Sequence, residues 1–213
     1  MSDAAIDPAA SAAGPGIDID ALDWDKGNGL LPAIVQDADT LRVLMLGYMD
    51  RAALAETRRS GRVTFFSRSK QRLWTKGERS GHFLDLVSVQ GDCDSDSLLV
   101  VARPHGPTCH LQRSSCFADA PASTLGELAA TVATRAVERP AGSYTTRLFD
   151  SGVRRIAQKV GEEGVETALA AVAEDDAALL GEAADLAYHL LVLLRARGLG
   201  LDALEAKLRE RQR

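Results

Sequence analysis

The chain has 213 residues, 46% of them hydrophobic and 26% charged, which supports one large domain or two small ones, each with its own core. A formal net charge of −5 excludes a general nucleic-acid binder and leaves only local basic patches for polyanions. The longest apolar stretch, residues 186–194, is roughly half what a bilayer crossing needs, and the N-terminus lacks the basic leader and apolar run of a secretion signal, so no membrane association and a cytoplasmic location are expected.

Residues 1–18, rich in Ala, Pro and Gly, read as a disordered tail. Residues 19–117 read as mostly β. Segments 30–37, 42–49, 62–68, 83–90 and 97–104 are short apolar runs rich in β-branched and aromatic residues. One helix fits among them over residues 51–59, capped by Asp50 and ended by Ser60 and Gly61. Residues 118–123 (ADAPAS) have linker composition. Beyond them, segments 125–138, 151–173, 176–197 and 201–211 are Ala-, Leu- and Glu-rich with helical periodicity, Gly198 and Gly200 separating the last two. The expected fold class is α+β, a mostly-β N-terminal domain followed by an all-α helical bundle over residues 124–213. That bundle is too small to hide its apolar faces alone, so a homodimer is expected.

Cys93, Cys109 and Cys116 fall in one window with spacing C-x15-C-x6-C, and Asp92, Asp94 and Asp96 flank the first. An odd cysteine count in a reducing compartment disfavours a disulfide framework. Three thiolates suit zinc, leaving a fourth position for a water whose pKa falls to about 7. The alternating aspartates would project along one side of an extended strand, an oxygen-rich place for magnesium. Free cysteines are also ordinary buried apolar residues, Asp-rich turns are often merely solvated, and structural zinc is a further alternative.

The segments GYMD (residues 47–50), FFSRSKQRLWTKGERSGH (65–82) and DCDSDSLL (92–99), with Cys109, His110 and Cys116, resemble phosphoribosyl-AMP cyclohydrolase over about 100 residues. The resemblance implies zinc on Cys93, Cys109 and Cys116, magnesium on Asp92, Asp94 and Asp96, and a homodimer whose zinc site draws cysteines from both subunits. It implies addition of water to C6 of an N1-alkylated adenine and cleavage of N1–C6, the attack that zinc deaminases make on a purine. His110 is then the first choice for proton transfer and His82 the second, each with a purely orienting role as the alternative. Arg68, Lys70, Trp74, Lys76 and Arg79 would contact the phosphates and base of the substrate. Without the resemblance, that basic loop reads equally as a solvated face or a single-strand RNA contact.

In the helical half, Glu162, Glu163 and Glu166 form E-E-x-x-E, and Glu182 and Asp185 form E-x-x-D on the next helix. Spacings of three and four place each set on one helix face, and two antiparallel helices can aim them at one another. Such a cluster repels itself without a cation, and oxygen ligands select magnesium. Glu166 and Asp185 border apolar stretches and are expected to face inward; solvated acidic faces are the alternative. With SYTTRLFDSG (143–152) and IAQKVGEEGVE (156–166), this half resembles phosphoribosyl-ATP pyrophosphohydrolase, one of the all-α nucleotide pyrophosphohydrolases, over about 90 residues. That implies hydrolysis between the α- and β-phosphates, with Glu163 and Glu166 also catalytic. Lys159, Ser143, Tyr144 and Thr145 would contact the substrate, the last three ahead of a helix N-terminus; capping is the alternative for them. The two resemblances name consecutive steps of histidine biosynthesis on small nucleotide substrates. A non-enzymatic zinc-stabilised module fused to a helical dimerisation domain is the rival from another class.

Overall fold

A computed structural model describes residues 17–212, and the chain separates into two compact units that meet between Ser123 and Thr124. The tail expected over residues 1–18 lies outside the described residues except for Ile17 and Asp18. Those two take part in the fold: Ile17 packs on the core, and the Asp18 carboxylate accepts the Asp20 N–H at 3.0 Å to start a short 3-10 turn, Ile19–Ala21.

The first unit is built on a four-stranded sheet. Strands β1 (Leu31–Asp37) and β2 (Val43–Met49) pair antiparallel. A helix, α1 (Arg51–Ser60), and a hairpin of β3 (Thr64–Ser67) and β4 (Arg72–Thr75) follow, then β5 (Leu84–Gly91) and β6 (Leu98–Pro104). β6 runs parallel to β1 and antiparallel to β5, so the sheet order is β2-β1-β6-β5, with the hairpin as a separate small sheet. Period-two alternation puts Leu31, Ala33 and Val35 wholly inside while Ile34 is exposed. The Asp50 carboxylate accepts the Ala53 N–H at 2.7 Å, and Gly61 ends the helix with φ 69°. Leu54 and Phe65 are fully buried in one core with Met49, Leu84 and Val100. Strand β4 falls inside the stretch read as a basic loop. Phe65 opposes Trp74 across the hairpin, ring centres 5.1 Å apart, and that pair fixes the register.

The second unit contains α2 (Thr124–Glu138), α3 (Tyr144–Ala173), α4 (Asp176–Ala196) and α5 (Leu201–Arg211). α3 begins at Tyr144 rather than at residue 151, because the Ser143 hydroxyl caps it by accepting the Thr146 N–H at 3.3 Å. Ser143 is therefore the cap itself, and Tyr144 and Thr145 form the first turn instead of preceding the helix. Gly152, at φ 81° and ψ 167°, interrupts α3. That conformation is essentially restricted to glycine, and it divides α3 into two helical stretches. The core is small: Val132, Leu148, Ile156 and Val192, with Phe149, Tyr188, Leu193 and Ala196 around it. Val165, Leu169 and Val172, spaced four and three apart, leave an exposed apolar stripe on α3, Val172 at 83% exposure.

α4 has 21 residues and contains an 18-residue window with a mean hydropathy of 1.5, so by length and composition alone it is long and apolar enough to cross a membrane, unlike the shorter run inside it. Its central turns carry Glu182, Asp185 and His189, and it packs along α3, as a helix of the bundle does.

Candidate active sites

The first unit holds a cleft of about 480 Å³. Lys70, Trp74, Lys76, Arg79, His82, Cys109, His110 and Cys116 all line it, gathered from the hairpin, the turn after β4 and the segment after β6. Gly77 makes the turn fit: at φ 90°, its missing Cβ would stand 2.5 Å from the His82 carbonyl. Arg68 lies apart. Its guanidinium stacks 3.9 Å from the Tyr48 ring centre, in a second cleft on the other side of Ser67 and Trp74.

Cys109 and Cys116 face each other in the cleft. Burial pushes the Cys116 thiol up, the neighbouring Cys109 adds to the shift, and the Lys76 ammonium opposes it. Burial also pulls Lys76 down, with the two cysteines opposing. The His110 Nδ1 stands 3.9 Å from Cys109 Sγ. Beside Cys109 in the same wall, the Thr108 hydroxyl is buried without a hydrogen-bond partner, an atom suited to meeting a ligand.

Cys93 lies outside this wall, in the turn between β5 and β6, exposed beside Asp94. The aspartates are in that turn rather than along a strand, because Ser95 adopts φ 62° and folds the chain back. Asp92 is committed to the turn: its carboxylate accepts the Asp96 and Ser97 N–H groups at 3.0 and 3.1 Å and the Ser97 hydroxyl at 2.6 Å, the hydroxyl chiefly lowering its pKa to about 2. Asp92, Asp94 and Asp96 offer carboxylate oxygens within 4.8 Å of one another. Lys26 sets its ammonium between Asp94 and Asp96, 2.6 Å from Asp96, and its pKa rises on the hydrogen bonds to both.

In the second unit, Glu163 and Glu166 of α3 meet Glu182 of α4 within 4.8 Å. Glu163 is buried, but Glu166 and Asp185 are exposed, contrary to the expectation from their apolar neighbours. For Glu166 the neighbours do not mark an interior, since Leu169 and Val172 are themselves exposed; at Asp185 the run becomes fully buried only further along, at His189, Leu191 and Val192. Burial raises the Glu182 carboxyl above its ordinary value, and Glu166, Glu163 and Asp185 add repulsion. Glu162 turns aside to Lys159, Gln158 and Arg155 at 2.9, 2.8 and 3.5 Å. Lys159 bridges Glu162 and the buried Glu163, 2.7 Å from the latter, and both bonds raise its pKa.

Residues 45–118 match the phosphoribosyl-AMP cyclohydrolase family and residues 125–212 the phosphoribosyl-ATP pyrophosphohydrolase family. The histidine biosynthesis bifunctional protein HisIE of Xanthomonas campestris pv. campestris is 69% identical over 195 residues, 92% of this chain and 95% of its own length. Its counterpart in Xylella fastidiosa (strain Temecula1) is 72% identical over 180 residues, 84% and 87% of the two chains, and that of Escherichia coli (strain K12) is 57% identical over 192 residues, 89% and 95%. The chain belongs to the HisIE family. It is a bifunctional hydrolase of histidine biosynthesis, cyclohydrolase first and pyrophosphohydrolase second, and the non-enzymatic rival falls.

At the two candidate sites the sequence carries no signal for Lys26 or His189, and it expects a substrate contact at Thr145 where the side chain is fully buried. Lys26 is 68 positions from Asp94, and only the fold joins them. His189, in a run that reads as plain core, is buried, with Nδ1 2.9 Å from the Asp185 carbonyl and Nε2 3.1 Å from the Tyr144 hydroxyl. Thr145 is fully buried, its hydroxyl 2.8 Å from that of Tyr188 and accepting from Arg135 at 3.3 Å. It therefore supports the turn from within and has no open face for substrate.

Proposed function

We propose that the helical domain, residues 124–213, hydrolyses phosphoribosyl-ATP to phosphoribosyl-AMP and pyrophosphate. The β-rich domain, residues 19–117, then opens the adenine ring at N1–C6, and residues 118–123 link the two. The observation that carries the first step is the converging Glu163, Glu166 and Glu182, whose mutual repulsion calls for a cation. Three carboxylates suit magnesium, with Asp185 and Glu162 at the margins of the set. For the second step, the facing Cys109 and Cys116 suit zinc, and the exposed Cys93, outside their cleft, fits a third thiolate supplied across a homodimer. Asp94 and Asp96, supported by Asp92, suit a second magnesium. When bound, magnesium supplies charge neutralisation for phosphates, and zinc supplies Lewis acidity toward water.

The chain's own groups do the rest. Lys70, Lys76 and Arg79 hold phosphate oxygens in the cleft while Trp74 offers a ring to the base; Arg68 reaches a distal group from the second cleft. His110 carries the proton to the departing ring nitrogen, with His82 across the cleft as the second choice. In the helical domain Lys159 turns from Glu163 to a phosphate oxygen, and Ser143 at the cap and Tyr144 in the first turn of α3 face the nucleotide. The reaction belongs in the cytoplasm, with nucleotides rather than nucleic acid as partners.

Purified protein given phosphoribosyl-ATP, magnesium and trace zinc should yield pyrophosphate and the ring-opened aminoimidazole product by mass spectrometry. Accumulation of phosphoribosyl-AMP would overturn the reading of the cysteine cleft, and absence of pyrophosphate that of the acidic cluster.

A further inference from the structure

We propose that His189 is a positioning residue that fixes the substrate-facing turn of the helical domain against its acidic cluster; this rests on the pyrophosphohydrolase reading above. The need for such a residue comes from Gly152. An unbroken helix sets the relative rotation of its residues through its own hydrogen bonds. α3 is broken, so the stretch carrying Tyr144 and the stretch carrying Glu163 and Glu166 are not held to each other in that way.

His189, on α4, touches both stretches. The residue is 4% exposed, with Nε2 3.1 Å from the Tyr144 hydroxyl, before the break. Nδ1 lies 2.9 Å from the carbonyl of Asp185 on its own helix and 3.6 Å from Oε1 of Glu163, which stands after the break. A carbonyl only accepts, so Nδ1 carries the proton. Nε2 carries the bond to the Tyr144 hydroxyl, as acceptor from the neutral ring and as donor from the imidazolium. One imidazole thus meets partners on opposite sides of its ring. With its hydroxyl bonded to His189, Tyr144 meets the nucleotide through its ring, on a residue that is 45% exposed. Tyr188 repeats the device one residue earlier, its hydroxyl 2.8 Å from that of the buried Thr145. Consecutive residues of α4 therefore grip consecutive residues of α3.

A double-mutant cycle on the full chain decides the matter, read by pyrophosphate release from phosphoribosyl-ATP. Tyr144→Phe and His189→Leu should each raise KM roughly tenfold with kcat nearly unchanged. The double variant should also stay near tenfold, because both remove one link. His189→Gln, which keeps a donor and an acceptor, should restore most of the affinity. Multiplication of the single effects to roughly a hundredfold, or an unchanged KM in a folded His189→Leu, overturns the proposal. If His189→Leu does not fold by circular dichroism, the Tyr144→Phe and His189→Gln pair carries the same test. If the wild type releases no pyrophosphate, the pyrophosphohydrolase reading falls on its own, and calorimetric binding of phosphoribosyl-ATP then reads the same cycle.

Discussion

The two domains solve the same problem, holding charged side chains for a phosphorylated nucleotide, on very different foundations. In the β-rich domain the sheet, α1 and the hairpin close over one large core, and the cleft is lined by the hairpin, the turn after β4 and the segment after β6. In the helical domain four buried side chains form the centre of the core, and three apolar residues in a row on α3 face outward. Its acidic cluster sits on the faces of two helices, held by buried or half-buried partners such as His189 and Lys159. One site is a cleft set against a large core. The other is a seam whose geometry depends on a few polar links and on whatever covers the stripe.

The largest test of this contrast separates the two chemistries. Cys109→Ser should lower ring opening at least about 100-fold and leave pyrophosphate release intact, and Glu163→Gln should do the reverse, since each alters a group facing the reacting centre. Measuring both products from one sample shows whether the activities are independent. Next in size is the stripe. If a second copy covers it, Leu169→Asp with Val172→Asp should weaken association by about 2–4 kcal/mol, and light scattering should report a halved mass; an unchanged mass would show that another face joins the subunits.

Gly152 gives a smaller effect. The space around it is open, so Gly152→Ala meets no clash and strains only the backbone. Urea unfolding should show a loss of about 1–3 kcal/mol confined to the helical domain's transition. The smallest effect concerns Glu182, whose carboxyl lies above its ordinary 4.5 through burial and then repulsion from Glu166, Glu163 and Asp185. Folding raises this pKa, so the protonated acid favours the folded state and stability falls as pH rises through and above 4.5. Without metal, Glu182→Gln should melt above the wild type at pH 7, and the gap should shrink as pH drops below 4.5. With magnesium present the order should reverse, because the variant loses a ligand.

Local signals carried much of this into the sequence. Asp50 and Gly61 bracket α1 through interactions that span four residues or fewer, and the alternation of β1 follows from its own side chains. The change of texture after residue 123 separates the two units for the same reason. What stayed hidden depends on distant partners. β4 has two apolar residues, and its identity as a strand comes from Phe65 across the hairpin. Apolar neighbours mislead at Glu166, because Leu169 and Val172 themselves face outward, and at Asp185, which is exposed although His189 and Val192 further along the same helix are buried. His189 lies among leucines, and only Tyr144, 45 positions earlier, discloses its task. Lys26 holds its aspartates from a turn that shares no motif with them.

The parallel pairing of β1 with β6 has a consequence for synthesis. β2 follows β1 at once, so one edge of β1 closes as soon as the hairpin forms, but its other edge waits for Leu98–Pro104. During that interval a nascent chain presents the backbone groups of Leu31–Asp37 unpaired, a template for any extended segment nearby. Closing the sheet spans more than sixty residues, and such long-range pairing is slow. Ribosomes stalled short of β6 should therefore release an aggregation-prone product, whereas the helical domain, built from contacts between neighbouring helices, can assemble almost as quickly as it emerges.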